Sequence, residues 1–257
     1  RKLNSDCQYR FEYEGTNVST AHRKSCDYWR KTQKRFCAGF RFYWQAGYLN
    51  LFFCFSIIRT DTFNGELMKT LEEKILKEGK LSDGNVLKVG SFLNQRLDVE
   101  FLMSMGDEVA RLFAGEKIDK VLTVEASGIP FAVCVAYKLG VPAVYAKKGG
   151  ALNVTGDVYS AEIYSFTHKK SNIVVVGKEY LQKGENILIA DDFLANGAAL
   201  NGLISIVKES GAKVAGCAIA IEKGFQHGGD NLRKAGYKVE SLAIIDEMTP
   251  SGIKFRA

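Results

Sequence analysis

The sequence predicts an α/β fold, a central and mainly parallel sheet flanked by helices, and three observations carry that reading. From Met68 onward, short apolar runs alternate with helical patterns, and strands separated by helices of about 10–15 residues pair in parallel through right-handed crossovers. The run Ile187-Leu188-Ile189-Ala190 is continuously apolar, as a buried strand is. The segments rich in small and charged residues, at 125–128, 147–148, 191–199 and 223, all directly follow an apolar run. In such sheets ligands sit at the carboxyl ends of the strands. With 257 residues the chain has room for one large domain or two small ones.

The first 67 residues do not match the rest. They hold 11 Lys and Arg against 6 Asp and Glu, leaving 24 against 23 for the other 190, so the net charge of +6 belongs mostly to the head. Residues 1–67 also carry four of the six cysteines, both tryptophans and 15 of the 29 aromatics, and the first methionine is Met68. They show no sustained period of 3.6 or 2. The expected organisation is therefore an atypical basic extension over 1–67 and a folded domain over 68–257. The extension reads as upstream sequence translated ahead of a start at Met68, as a basic, aromatic-rich nucleic-acid-binding module, or as a zinc site or unassigned folded extension. Its cysteines contain no C-x-x-C pair, which counts against zinc. Its longest greasy run, 48–58, is interrupted by Asn50 and Ser56 and falls short of the roughly 20 residues needed to span a membrane.

The elements of the body follow in order. Residues 68–80 form a helix with Leu71, Ile75 and Leu76 on one face and Gly79 at its C-terminal cap. In the next segment, 86–98, Leu87 reads as core and Asn94 as a turn residue. Asp98 caps a helix to Phe113 with Leu102, Met105, Val109, Leu112 and Phe113 inward and Gly115 after it. Lys120–Val124 is a strand, Glu125-Ala126-Ser127-Gly128 a turn, and Pro130 opens a helix that ends near Gly140. A strand over 141–146 leads into Lys147-Lys148 and a polar stretch to about Asp157. Segments 161–166 and 172–177 form a two-stranded arm. After the strand at 187–190 come a helix over 198–210, a strand over 213–222, a helix around 230–234 and a strand over 238–246. Cys134 and Cys217 sit in apolar patterns and read as reduced core residues, which fits a cytosolic protein.

Residues 186–200 carry the chemistry. The strand ends in two carboxylates, Asp191 and Asp192, followed by the small-residue turn Ala195, Asn196, Gly197, Ala198, Ala199 and a helix. Free backbone N–H groups and the helix dipole then converge on one spot with nothing bulky to block a phosphate. Like charges repel, so the two aspartates suit sugar hydroxyls, or a metal held by those hydroxyls. The implied ligand is a phosphorylated sugar. Ala126, Ser127 and Gly128 precede another helix start and offer amides to a second anion. Lys147 and Lys148 read either as solvated loop lysines or as the basic base of a flexible lid that excludes water. Lys223 reads either as a solvated strand end or as a cation or donor aimed into the same site. His22, His168 and His227 have no evident partner, and no Ser, Cys or His is paired as a covalent nucleophile.

The acidic-pair segment resembles the ribose-phosphate signature of the type I phosphoribosyltransferases. The resemblance to their xanthine-using bacterial branch runs from Met68 to Ala257. It includes Phe92-Leu93-Asn94, Glu125-Ala126-Ser127-Gly128-Ile129, Tyr164-Ser165-Phe166-Thr167, residues 191–197, Gly202-Leu203-Ile204-Ser205-Ile206-Val207-Lys208, Ile221-Glu222-Lys223 and residues 236–242. It implies the type I phosphoribosyltransferase fold, with a small base-binding hood at 86–98 and a flexible lid. It implies that Leu87, Asn94 and Lys223 bind xanthine and that Ala195 to Ala199 bind the 5′-phosphate of phosphoribosyl pyrophosphate. Asp191 and Asp192 would face the ribose as the catalytic pair, and Ala126, Ser127, Gly128 and Lys147 would meet pyrophosphate. It further implies purine salvage yielding xanthosine 5′-monophosphate, magnesium held through the substrate rather than by protein side chains, and a cytoplasmic homodimer without nucleic-acid or membrane partners. Related hypoxanthine–guanine enzymes carry an aspartate where this chain has Ala195, so no side-chain general base stands there. Two rivals remain: a purine-responsive transcription regulator with a phosphoribosyltransferase-like effector domain, and a guanine or hypoxanthine phosphoribosyltransferase on the same fold.

Overall fold

The computed structural model describes residues 66–82, 86–149, 156–165, 170–249 and 251–256. All of the expected extension except its last two residues lies outside that range, as does the middle of the polar stretch expected before Asp157. Helix α1 (Glu66–Glu78) begins two residues ahead of the expected start at Met68. Leu67, Leu71 and Ile75 are buried, whereas Leu76 is 59% exposed, because one residue of helix turns its side chain about 100° off the buried stripe. Strands β1 (Lys80–Ser82) and β2 (Val86–Lys88) form a small antiparallel hairpin with Leu81 opposite Leu87. Sequence periodicity does not reveal this pairing, since each strand is only three residues long.

Asp98 caps α2 (Val99–Leu112), its carboxylate accepting from Phe101 N at 3.2 Å. The strands that follow are β3 (Lys120–Val124), β4 (Ala143–Lys148), β5 (Val158–Ser165), β6 (Lys170–Gly177), β7 (Asn186–Leu194), β8 (Lys213–Lys223), β9 (Val239–Thr249) and β10 (Gly252–Phe255). Between them run α3 (Gly128–Leu139), α4 (Ala198–Glu209) and α5 (Gly228–Lys234). The eight strands make one sheet in the order β10-β9-β8-β7-β3-β4-β6-β5. Its centre, from β9 to β4, is parallel, and both edges are antiparallel.

The central strands are buried on both faces, and their alternation splits the core. Leu188, Ala190, Ala218 and Ala220 pack with residues of α1, α2 and α3. Their neighbours Ile187, Ile189, Cys217 and Ile219 pack with Leu200, Leu203, Ile206 and Val207 of α4. This period of two explains why the strands read as continuous apolar runs. The two-stranded arm forms as expected, with β5 and β6 paired over their full length. It packs on α4, where Gly202 admits Ile163: a Cβ at Gly202 would meet Ile163 Cγ1 at 2.6 Å.

The arm strands β5 and β6 begin three and two residues earlier than the sequence expectation, and β4, β7 and β9 differ from it as well. β4 begins and ends two residues later, so Lys147 and Lys148 close the strand, opposite Val175 and Val174, instead of opening the polar stretch. β7 runs four residues beyond the apolar stretch, through both aspartates to Leu194, because β8 goes on pairing with it. β9 extends to Thr249 because β10 pairs with its end.

Candidate active site

A cleft of about 350 Å³ opens at the carboxyl ends of β3, β4, β7 and β8. Among the residues lining it are Glu125, Ser127, Lys148, Asp191, Asp192, Ala195, Asn196, Ala198, Ala199 and Lys223. Most of the expected site residues, from segments up to about 100 positions apart, therefore meet in one place. Topology is the reason: parallel strands deliver all their C-terminal loops to the same edge.

The acid pair lies in the floor. Asp191 and Asp192 are 5% and 3% exposed. Asp192 accepts from Ser127 Oγ at 2.9 Å and from Asn94 Nδ2 at 3.0 Å, so it joins the turn after β3 to the segment after β2. Asp191 accepts from the Asp192 backbone N–H at 3.0 Å. Burial, and after it the neighbouring Asp192 charge, push the Asp191 carboxyl well above its ordinary value. Gly128 makes this packing possible: a Cβ there would lie 2.5 Å from Asp191 Oδ1 and overlap the Thr123 hydroxyl. Thr123 Oγ1 is buried and has no hydrogen-bond partner among the described residues.

The loop after β7 has the form of an anion cradle. Gly197 holds a left-handed backbone, φ 87°, just before α4. Asn196 Oδ1 accepts from Ala198 N at 3.0 Å, which braces the turn. The first intrahelical donor is Asn201, whose N–H reaches Gly197 O at 2.9 Å. The helix makes no use of the amides ahead of it, and they lie at the positive end of its dipole.

The turn after β3 is built differently. The Glu125–Ala126 peptide is cis, and Ser127 leads into α3. Ala126 and Ser127 are exposed and Gly128 is buried. Glu125 ties this turn to β4, its N–H donating to Ala146 O at 3.0 Å and its Oε1 accepting from Lys148 N at 2.5 Å. Lys148 lines the cleft; Lys147, the expected pyrophosphate residue, alternates away from it along the strand and does not.

Lys223 is the last residue of β8, and its Nζ stands 5.9 Å from the centre of the Phe193 ring. Burial holds its ammonium below the ordinary lysine value. The hood residues sit as the residues alone imply: Leu87 is core, and Asn94 is in a turn. Asn94 reaches Asp192 at the edge of the cleft, but neither Asn94 nor Leu87 lines it.

Sequence reasoning missed Phe193, Ile163, Asn172, Val174 and Gln226, all of which line the cleft. Phe193 was within reach, two residues past Asp191 on the same strand. Ile163, Asn172 and Val174 enter through the arm, whose docking on β4 and α4 leaves no mark in local sequence. No cluster of three or more His, Cys, Asp or Glu among the described residues could enclose a metal ion.

Comparison with known proteins agrees with this arrangement. Residues 102–249 match the phosphoribosyl transferase domain family. A xanthine phosphoribosyltransferase of Bifidobacterium adolescentis is 52% identical over 193 residues, covering 74% of this chain and 100% of that protein. Xanthine phosphoribosyltransferase 1 of Clostridium perfringens is 50% identical over 190 residues, with coverage of 74% and 100%. Among solved structures, the adenine phosphoribosyltransferase of Rhodothermus marinus superposes with a TM-score of 0.58 at 21% identity, covering 70% of this chain and 99% of its own. That of Thermoanaerobacter pseudethanolicus gives 0.57 at 21% identity, covering 69% and 98%.

Proposed function

The chain belongs to the phosphoribosyl transferase domain family, and from that membership we propose that it salvages xanthine. It transfers the 5-phosphoribosyl group of phosphoribosyl pyrophosphate to N9 of the base, giving xanthosine 5′-monophosphate and pyrophosphate. Relatives carrying that name are 50–52% identical over their whole length. Within the structure, the observation that carries the reading is the buried acid pair beside the Gly197 cradle, with Lys223 on the next strand of the same cleft. That is the donor and acceptor layout a ribose phosphate and an oxopurine require.

The roles follow from position. The backbone amides of residues 195–199 hold the 5′-phosphate, and Asp191 and Asp192 take the ribose hydroxyls. As the C1′–oxygen bond to pyrophosphate breaks, positive charge gathers on the ribose, and the two carboxylates offset it. The exposed turn Ala126-Ser127-Gly128 receives the departing pyrophosphate, with Lys148 lining the cleft and Lys147 behind it on the same strand. Lys223 meets a carbonyl oxygen of xanthine, and Asn94 serves the base from the hood, behind which Leu87 packs in the core. Ala195 cannot take a proton, so the base binds partly as its own anion beside Lys223. A plot of log kcat/KM against pH without a break at the free base's pKa would refute this.

Magnesium fits as the substrate's companion. With no closed cluster of protein ligands among the described residues, it would be held by pyrophosphate and ribose oxygens, Asp191 and Asp192 being the nearby carboxylates. Bound there, it would supply neutralising charge to the leaving group. The catalytic domain runs over 68–257, with 1–67 as an extension. The protein acts in the cytoplasm as a homodimer, without nucleic-acid or membrane partners. No helix among the described residues is long and apolar enough to cross a membrane.

The deciding experiment is a steady-state assay with phosphoribosyl pyrophosphate and magnesium, offering xanthine, guanine, hypoxanthine and adenine in competition and reading pyrophosphate release. Highest kcat/KM on xanthine is expected. Tight binding of phosphoribosyl pyrophosphate without turnover on any base would overturn the reading in favour of a regulator.

A further inference from the structure

Glu222 sits one residue before Lys223 and is fully buried, at 0% exposure. Its carboxylate accepts from Arg233 Nη1 at 2.9 Å, from Arg233 Nη2 at 2.7 Å and from Ser241 Oγ at 2.5 Å. A carboxylate this deeply buried is costly to desolvate, here against an arginine that is itself 30% exposed, so its position calls for another reason. Its surroundings supply that reason. Gly229, at the start of α5, lies so close that any Cβ would overlap Glu222 Oε1. The preceding residue, Gly228, donates its N–H to Ala195 O at 3.2 Å. A Cβ on Gly228 would lie 2.6 Å from the Asn196 carbonyl carbon and 2.7 Å from Gly197 N. Two glycines therefore form a spacer whose thickness is one backbone, with the Glu222 carboxylate on one side and the 195–197 loop on the other. Glu222 also stands opposite Leu194 in the β7–β8 ladder, directly before that loop.

We propose that Glu222 is a positioning residue, which through its clamp on Arg233 and Ser241 holds the phosphate loop and Lys223 in one register. It touches no substrate. It sets the α5 start against Ala195, Asn196 and Gly197 on one side and, as the neighbour of Lys223 in the chain, sets the base-facing ammonium on the other. The inference rests on the assignment of residues 195–199 to phosphate and of Lys223 to the base.

The test uses the full chain with Glu222→Gln, which keeps the shape but removes the charge that holds Arg233, and with Ser241→Ala as a milder variant. Ribose 5-phosphate affinity is measured by calorimetry well below the melting temperature, and KM and kcat are measured with xanthine. For Glu222→Gln, the ribose 5-phosphate Kd and the xanthine KM should both rise by about tenfold while kcat changes less, since small displacements of a binding frame weaken every group it carries. Ser241→Ala should move the same two constants in the same direction by a smaller factor, and it carries the test should Glu222→Gln not fold. A lowered Tm with both constants at the wild-type value would reduce the network to scaffolding and overturn the proposal, as would a shift in only one of the two. Failure of the unsubstituted protein to bind ribose 5-phosphate would instead strike the phosphate-loop assignment, and this proposal along with it.

Discussion

Asp191 is the residue at which stability and function pull apart. Its carboxyl is held well above the ordinary 3.8, by burial first and by Asp192 second. The folded chain thus binds this proton more tightly than the unfolded chain. The stabilising share is complete below the ordinary carboxylate value and is lost as pH rises through the elevated one. Asp191→Asn keeps an oxygen for the Asp192 N–H and removes the buried ionisable group. Its Tm at neutral pH should exceed that of the wild type, by about 2–4 °C for each kcal/mol relieved in a domain of this size. The gain should shrink as the pH falls toward 3.8 in a pH series of melting curves. The same substitution should lower kcat/KM by about 100-fold, because the carboxyl proposed to offset the developing ribose cation is gone. Lys223 shows the opposite shift: burial lowers its ammonium below 10.5. kcat/KM reports ionisations of the free enzyme, so the alkaline limb for xanthine should break below 10.5 in the wild type. In Lys223→Gln that limb should disappear, leaving the break that belongs to the base. An unchanged alkaline limb in the variant would remove Lys223 from base recognition.

At the scale of elements, the loop between β7 and α4 depends on one backbone conformation. Gly197→Ala places a Cβ on a residue with φ 87°, at a cost of about 1 kcal/mol, and moves the amides proposed to hold the phosphate. Gly236 is a matched control: its φ is 89° and nothing lies within 4 Å of its would-be Cβ. Both alanine variants should lose similar stability in denaturant titrations, but only Gly197→Ala should raise the KM for phosphoribosyl pyrophosphate. Equal KM values in the two would mean that the loop does not hold the phosphate. This loop was legible in the sequence because every cue is local: an apolar strand, two acids, a small-residue turn, a helix. β3, α2 and α3 were legible for the same reason. The β1–β2 hairpin, the added length of β9 against β10 and the two-residue shift of β4 were not. Each of these depends on a partner strand chosen at a distance, and pairing, not propensity, decides where such strands stop. The shift of β4 also brings both lysines into strand alternation, and of the two it is Lys148 that lines the cleft.

For the molecule as a whole, the question is where the catalytic domain begins. The change of composition at Met68 is plain in the sequence, yet α1 starts at Glu66, and Leu67 is 6% exposed within the core that also holds Leu71, Ile75 and Leu87. Composition marks where one kind of text gives way to another, whereas a core boundary is set by whichever side chains fill the last gap. A chain starting at Met68 therefore keeps every described cleft residue and, among the described residues, gives up one buried leucine. It should turn over xanthine with kcat/KM within about twofold of the full chain, since the described cleft residues and the contacts among them are kept. It should be less stable by about 1–2 kcal/mol, the worth of one buried leucine side chain, and Leu67→Ala in the full chain should reproduce that loss. Assays of the three proteins side by side separate the two effects. Intact activity with matching stability losses would place residues 1–66 outside the catalytic machinery. Lost activity in the shortened chain alone, or salt-sensitive DNA retention by the full chain that the shortened chain lacks, would give the basic head a role of its own.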